Sequence, residues 1–523
     1  MYDLMHLGHA GFMLETDDFV FLMDPWLSPK GAYDMSWFQF PCNHHLRSEL
    51  LSKIANTQKP VYLYISHEHQ DHWDPELIEQ MSPEPTLLIP RFTREHLRMY
   101  YHKWPGKMHV FTDQQMIKLP GNAHAEFYIN DSVREADSAV LIAHEGRVLL
   151  NMNDCHIHDR LDDIQQVNGK INIFTGHFSG ASWYPTCYVY SDETQAKKAK
   201  KNMYARFVTM RKCLQDMQPD YYIPSAGPAC FLDDDLYHLN FEEDTIFPLP
   251  EKFYKFLDSG RDLGDTTFAH LLPGESLDLN CREDHVVYYP DLRYVLDDYQ
   301  EQVFEALEAR DERGLTEWDD VKLRLCEQLD EKLNGLSLIK ELDGVLLQFQ
   351  VIGSPDRTVS VDFGSKEKAA MAWYSVKSED RHHYEYSIFA TVEEFAVLAN
   401  KQLTWYEWLL SLRLSIRRSP DTFNSLLDGF LVNEPSEMKA FCEHYEERKS
   451  EETMTATFTN AGGFDETYRF CKRCPHEGAD LSKGYIDKKG NLVCPRHSWK
   501  FNLRLNGDCQ EHNATINAEE VRE

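Results

Sequence analysis

Cysteine is sparse in this chain, with 12 among 523 residues. Seven of these, from Cys42 to Cys326, are scattered without disulfide-like spacing. That pattern suits a reducing compartment and argues against a scaffold stapled by bridges. Long apolar runs are also missing. None approaches the roughly 20 residues that span a bilayer. The first residues, Met1-Tyr-Asp-Leu-Met-His6, have neither a basic n-region nor an apolar stretch of signal-peptide type. A cytoplasmic protein without a membrane span is expected. Positive charge is short as well: Lys+Arg 54 against Asp+Glu 86 leaves a net charge of −32. A field of that sign repels nucleic acid and anionic lipid, so neither is an expected partner. The length allows two to four domains with ample core.

The remaining cysteines include two arranged for chemistry. Cys474-Pro-His476 is followed, after 17 intervening residues, by Cys494-Pro-Arg-His497. Each pair sets a thiolate and an imidazole on one short loop. That is the ligand set of a Rieske [2Fe–2S] centre, in which two Cys hold one iron and two His the other. A zinc site competes, because Cys471 and Cys474 form C-x-x-C. A zinc ribbon needs a second pair of similar type, whereas Cys494-Pro-Arg-His497-Ser-Trp499 fits a second Rieske loop. Cys471 and Cys509 are then not ligands. Short strands are expected around both loops, so residues 456–523 read as a small all-β cluster domain. Trp499 and the backbone near Gly478 are placed to tune the cluster.

A second metal-type pattern lies far upstream. Gly11-Phe-Met-Leu14 and Phe19-Val-Phe-Leu-Met23 read as strands around a turn, and Asp24-Pro-Trp26 ends the second. The apolar run Val61-Tyr-Leu-Tyr-Ile65 stops at Ser66-His-Glu-His-Gln-Asp-His72. A strand that delivers three imidazoles and a carboxylate onto one loop suits zinc or iron. This string resembles the metallo-β-lactamase superfamily, which implies a four-layer αββα fold, commonly with two metals. By that resemblance His67 and His69 serve one metal, Asp71 and His72 a second, and Asp154 bridges. His177, after Ile171-Asn-Ile-Phe174, is a candidate closing ligand. His124, Glu135 and Asp137 compete for one further ligand position. Ser138-Ala-Val-Leu-Ile142 and Arg147-Val-Leu-Leu150 read as a hairpin around Glu145-Gly146.

Between these sites, residues 251–455 read as a connector and an α+β domain. Lys252 to Asn280 lacks a clear period and is expected to be irregular. Tyr294 to Leu333 is helical by its three- and four-residue spacing. Val345–Val351, Thr358–Phe363 and Tyr384–Ala390 alternate as strands, and helices return at Thr391–Asn400 and Trp405–Leu414. A packing domain, a lipid-carrier-like module and a lid over the metal site all fit this pattern. Basic strings at Lys197-Lys198-Ala-Lys200-Lys201 and Arg413-Leu-Ser-Ile-Arg417-Arg418 suit either solvated faces or phosphate and carboxylate recognition.

Taken together, the chain resembles the cytidine-monophosphate N-acetylneuraminate hydroxylase family, which pairs a Rieske domain with a metallo-β-lactamase-like domain. The matching strings include Leu7-Gly-His-Ala-Gly-Phe12, Asp24-Pro-Trp-Leu27, Ser66–His72, Leu150-Asn-Met-Asn-Asp-Cys155, Phe178-Ser-Gly-Ala-Ser182, Ile223-Pro-Ser-Ala-Gly227, Pro273-Gly-Glu-Ser-Leu-Asp278 and Arg418-Ser-Pro-Asp421. Two departures stand out: the Rieske loops come last here, and His177 stands where the family has an aspartate. The resemblance implies an oxidoreductase, an O₂-dependent monooxygenase. In it, a [2Fe–2S] cluster on Cys474, His476, Cys494 and His497 feeds electrons to one or two non-haem iron ions on His67, His69, Asp71, His72, Asp154 and His177. The expected partners are a small-molecule substrate such as a nucleotide sugar, O₂, and an external electron donor: a reductase, ferredoxin or cytochrome. The net acidity favours a donor with a basic patch. A zinc-dependent hydrolase with an accessory Rieske domain, and an electron-transfer protein, are the alternatives.

Overall fold

A computed structural model describes the chain outside residues 93–95, 132–135, 261–262, 312–315, 364–370, 373–382, 448–451, 461, 477, 510–511, 513 and 522–523. It divides into two compact units. The first holds residues 1–131, 135–181 and 196–312; the second holds 182–195 and 313–523. Residues 251–312, expected with the connector and middle domain, thus pack within the first unit.

The first unit is built on two sheets. One has six strands in the order Tyr2–Gly8, Gly11–Thr16, Val20–Met23, Val61–Tyr64, Thr86–Pro90 and Met108–Phe111. The other has seven, running from Thr267–Phe268 through Tyr221–Ser225, Ile173–His177, Arg147–Asn151, Ala136–His144 and His124–Asp131 to Gln115–Lys118. Alternation along each strand sorts side chains between two faces. Val140, Ile142, Leu149 and Ile173 join Phe12, Leu14, Phe21, Tyr64 and Phe111 of the first sheet in one core. Leu141, Leu150 and Phe174 join Met203, Phe207, Met210 and Leu214 of the helix Asp192–Met217 in another. Leu50 and Ile54 of the helix Arg47–Asn56 cover the outer face of the first sheet through Leu22 and Leu63. The result is helix, sheet, sheet, helix. Each large side chain so buried contributes about 1.5–3 kcal/mol.

The hairpin around Glu145-Gly146 forms with His144 opposite Arg147. Both loop residues have positive φ, 51° and 77°, as a two-residue turn matched to strand twist requires. One expectation is corrected. Lys252 to Asn280 is not irregular throughout: Pro250–Gly260 is a helix and Thr267–Phe268 a strand. Phe253 and Leu257, four residues apart, are the buried stripe of that helix. The helical stretch expected from Tyr294 to Leu333 forms as two helices, Leu292–Asp311 and Trp318–Gly335.

In the second unit the strands Val345–Val351, Thr358–Asp362, Tyr384–Ala390 and Ser415–Ser419 belong to one sheet. Thr391 caps the helix Val392–Ala399, and a Thr404–Glu407 capping box starts Trp405–Leu410. The C-terminal segment forms two small sheets. Thr453–Thr459 pairs with Asp465–Cys471. The strands Tyr485–Ile486, Asn491–Val493, Lys500–Asn502, Asp508–Cys509 and Ala514–Thr515 form the other. Among the described residues, no helix is long and apolar enough to cross a membrane.

Candidate metal centres

The strand Val61–Tyr64 stops two residues before Ser66, and the loop behind it brings the histidine string into a largely buried cluster. Two groups of ligand-type side chains gather there: His67, His72 and Asp154, and His9, Asp71 and His72. His67 Nε2 and His69 Nδ1 lie 2.7 Å apart, so His69 converges on the same point. His72 Nε2 lies 3.5 Å from Asp154 Oδ1 and 3.9 Å from Asp71 Oδ2.

Neighbours fix how these rings present themselves. His72 Nδ1 donates to Asp24 Oδ2 at 3.0 Å, which leaves the lone pair on Nε2. Ser66 Oγ also donates to Asp24 Oδ2, at 2.6 Å. His67 Nδ1 is 2.9 Å from Ser66 Oγ and 3.2 Å from Asp137 Oδ1, so Nε2, the nitrogen facing His69, is its ligand position. Asp71 takes a hydrogen bond from the Tyr33 hydroxyl on one oxygen and is 3.1 Å from His9 Nε2 on the other. His9, Asp24 and Asn153 have φ of 51°, 40° and 41°. Left-handed backbone at three non-glycine positions around one pocket is strain held by its surroundings, as functional sites often show.

The electrostatics fit a cation. Burial pushes Asp137 up to about 7 and Asp154 up to about 6, with His72 opposing the shift in each case. Burial also opposes charge on His72, but Asp154, Asp71 and Asp24 together hold it well above the usual range. Asp71 stays well below, against burial, because of His72 and the hydrogen bond from His9. His67 is lowered by burial and by His72. His72 Nε2, Asp154 Oδ1 and His9 Nδ1 are buried without a hydrogen-bond partner. Buried carboxylates and orphaned ligand atoms around one point are what a bound metal would satisfy. The donor set of imidazole and carboxylate suits zinc or iron.

The other sequence candidates fall in different places. Asp137 is brought in, beside His67 and hydrogen-bonded to Asp154. His124 pairs across the sheet with Ala143 and is in neither group. Glu135 lies outside the described residues. His177 is in neither of the two groups of converging ligand atoms. The chain after Asp154 turns back, so that His156 and His158 stand 5.1 and 5.7 Å, ring to ring, from His177. His9, Asp24 and Tyr33 are site residues that sequence reasoning did not assign. Of the basic strings, Lys200 pairs with Asp244, Arg413 with Glu394 and Arg418 with Asp421.

The cluster loops share one geometry. Gly478 N donates to Cys474 O, and Cys474 N to Ala479 O, both at 2.9 Å. Ser498 N donates to Cys494 O at 3.1 Å, and Cys494 N to Trp499 O at 2.9 Å. Gly478 and Ser498, the corresponding closing residues, have φ of 69° and 55°. The His476 and His497 rings meet edge to face, centroids 4.5 Å apart and planes at 77°. The Cys494 thiol is lowered, first by its hydrogen bond with Cys474. Among the described residues, no three of these four bring ligand atoms into one compact cage. Paired thiols and paired imidazoles suit two irons better than one zinc.

Fold and loops together define the class: a metallo-β-lactamase-like domain followed by a C-terminal Rieske [2Fe–2S] domain. A β-lactamase superfamily domain matches residues 3–171 and a Rieske [2Fe-2S] domain residues 431–521. The chain is 26% identical over 528 residues to a provisionally named Rieske 2Fe-2S iron-sulfur protein of Mycolicibacterium smegmatis, covering 96% of each. Among solved structures, CmlA, a diiron β-hydroxylase from Streptomyces venezuelae, is 16% identical. The match covers 53% of this chain and 54% of that one at a TM-score of 0.35. Igni18, a metallo hydrolase from Ignicoccus hospitalis, is 13% identical, covering 53% and 97% at a TM-score of 0.34.

Proposed function

We propose that this chain is a Rieske-dependent non-haem iron hydroxylase acting on a small polar metabolite, with a nucleotide sugar such as CMP-N-acetylneuraminate as the first substrate to test. One observation carries the reading: a single chain holds both a buried imidazole–carboxylate pocket and a pair of Cys–His loops. Soft thiolates beside imidazoles serve one-electron transfer, and the harder set serves chemistry on a substrate.

Iron held by His67, His69, His72, Asp71 and Asp154 would supply O₂ activation with electrons from the cluster. The remaining work belongs to the chain. Asp24 holds His72 in the tautomer that offers Nε2. Ser66 and Asp137 do the same for His67. Tyr33 and His9 orient Asp71. The hydrogen bond between the Asp137 and Asp154 carboxyls keeps a proton inside the pocket. Burial of Ser66, His67 and His72 at 2% exposure or less keeps bulk water out.

The test uses the purified full chain. Iron and sulfide analysis and the EPR spectrum of the reduced protein come first. O₂ uptake is then followed against sialylated nucleotides and acyl amines. Reductant-dependent O₂ uptake coupled to a hydroxylated product supports the proposal. Turnover that proceeds anaerobically without reductant makes the protein a hydrolase instead.

A further inference from the structure

We infer that electrons enter the cluster at its His497 edge, from a small acidic one-electron carrier that docks on the two cluster loops. This rests on reading the C-terminal domain as a working [2Fe–2S] centre.

The four ligands are unequally open. Cys474 and Cys494 are each 1% exposed, and His476 is 8% exposed. His476 is closed by the chain's own rings. It stacks on Trp499 with centroids 4.3 Å apart and planes within 11°. His512 stacks on Trp499 in turn, at 3.8 Å and 11°. Phe423 stands edge-on to all three, 5.6 Å from His476, 5.7 Å from Trp499 and 6.0 Å from His512. Its backbone bridges His512. The His476 edge is therefore roofed by the middle module and the C-terminal loop. His497 is half-buried, on a loop where Pro495, Arg496 and Ser498 are also half-buried. It is the ligand edge a docking protein can approach.

The charge around that edge names the partner. The segments that form the two loops, 471–480 and 494–500, carry Lys472, Arg473, Arg496 and Lys500 against Glu477 and Asp480, while Lys488 and Lys489 lie in the hairpin turn at the far end of the strands. This basic island sits in a chain of net charge −32. Lys472 pairs with Glu452, and Asp480 and Asp487 are engaged in their own turns. Arg473 and Lys500, on either loop, are exposed. A basic carrier, suggested by net charge alone, is drawn to the rest of the chain. An acidic one is steered to the cluster. In the transfer itself the carrier is oxidised by one electron and the cluster reduced by one. No bond or proton moves.

The experiment follows reduction of the full-length holoprotein by reduced plant-type ferredoxin in stopped flow, across a salt series. The rate is expected to fall as salt rises. Arg473→Glu with Lys500→Glu should cut the low-salt second-order rate at least tenfold and flatten its salt dependence, with the EPR spectrum retained and the rate corrected for any change in midpoint potential. Phe423→Ala should leave the corrected rate within twofold. Equal rates in the charge-reversed variant, a rate that rises with salt, or a tenfold loss in Phe423→Ala overturns the port. A wild-type chain without a [2Fe–2S] signal overturns the Rieske reading itself. A normal signal with salt-indifferent reduction overturns the port alone.

Discussion

Asp24 and His72 are joined by a 3.0 Å hydrogen bond through Nδ1, and both are 1% exposed or less. The bond decides which nitrogen of His72 is offered to a metal. Asp24→Asn keeps the volume but presents an amide in place of the anion. Metal affinity at the first unit should fall about 10–100-fold, the usual effect of losing such a partner. Competition with a chelator, read as metal per chain, checks this. The cluster EPR signal should not change.

His67→Ala and His69→Ala separate supply from use. Both remove imidazoles from the pocket and neither touches the cluster loops. Reduction of the cluster should proceed as in the parent chain, while product formation falls by at least two orders of magnitude. Product formation at the parent rate would move catalysis away from this pocket.

Much of this was legible in sequence because the signals are local. Seven residues, 66–72, carry most of the upstream ligands, and two short loops carry the cluster. What was hidden depends on folding. His9 lies inside a matching string, Leu7-Gly-His-Ala-Gly-Phe12, but nothing in that string assigned it a role, and only the fold brings it to Asp71. Tyr33 has no signal at all. Asp137 could not be told from His124 and Glu135 until strand register placed it beside His67. His177 was suggested by its strand-end position, and folding also sets His156 and His158 beside it, 5.1 and 5.7 Å ring to ring, a neighbourhood no local pattern announces. The helix Pro250–Gly260 was missed because only Phe253 and Leu257 mark its buried stripe clearly.

Trp499→Ala removes the ring stacked on His476 at 4.3 Å. Reduction adds a negative charge to the cluster, and water near the imidazole stabilises that charge. The midpoint potential should rise, by an amount that makes reduction several-fold more favourable; tenfold is about 59 mV for one electron. Trp499→Phe should restore most of the difference. Protein-film voltammetry reads both.

Lys332 is buried outright at 0% exposure. Its Nζ donates to Leu431 O at 3.0 Å and lies 3.5 Å from the centre of the Trp405 ring. Burial lowers its pKa, against the pull of Glu434 and Glu437. Lys332→Ala loses the cation–π contact, leaves a carbonyl unsatisfied and opens a cavity. The cost should be about 2–4 kcal/mol, and Lys332→Met should cost less. Denaturant unfolding of the full chain, followed at the transition that includes the second unit, measures it.

Metal removal should make stability depend on pH in a way the loaded protein does not. Without a cation, burial raises Asp137 to about 7 and Asp154 to about 6, against about 3.9 for an unfolded Asp. A carboxyl with a raised folded pKa is most favourable to folding while protonated in both states, below about pH 4. Its contribution is lost as pH rises through the folded value. His72, also raised, contributes with the same sign: folding gains while it is charged and loses as pH climbs past its folded pKa. Asp71, held low, loses its contribution only in acid. The chelated protein should therefore lose stability between about pH 4 and 7, on the order of 7 kcal/mol at most if both raised carboxyls must ionise in the empty pocket, with His72 extending the loss above about pH 6.5. Iron or zinc restored to the pocket should flatten the profile, because the carboxylates then ionise against a cation. Thermal unfolding at pH 5, 6, 7 and 8, with and without metal, measures the difference. Equal slopes in the two series would mean that these carboxyls do not face the metal.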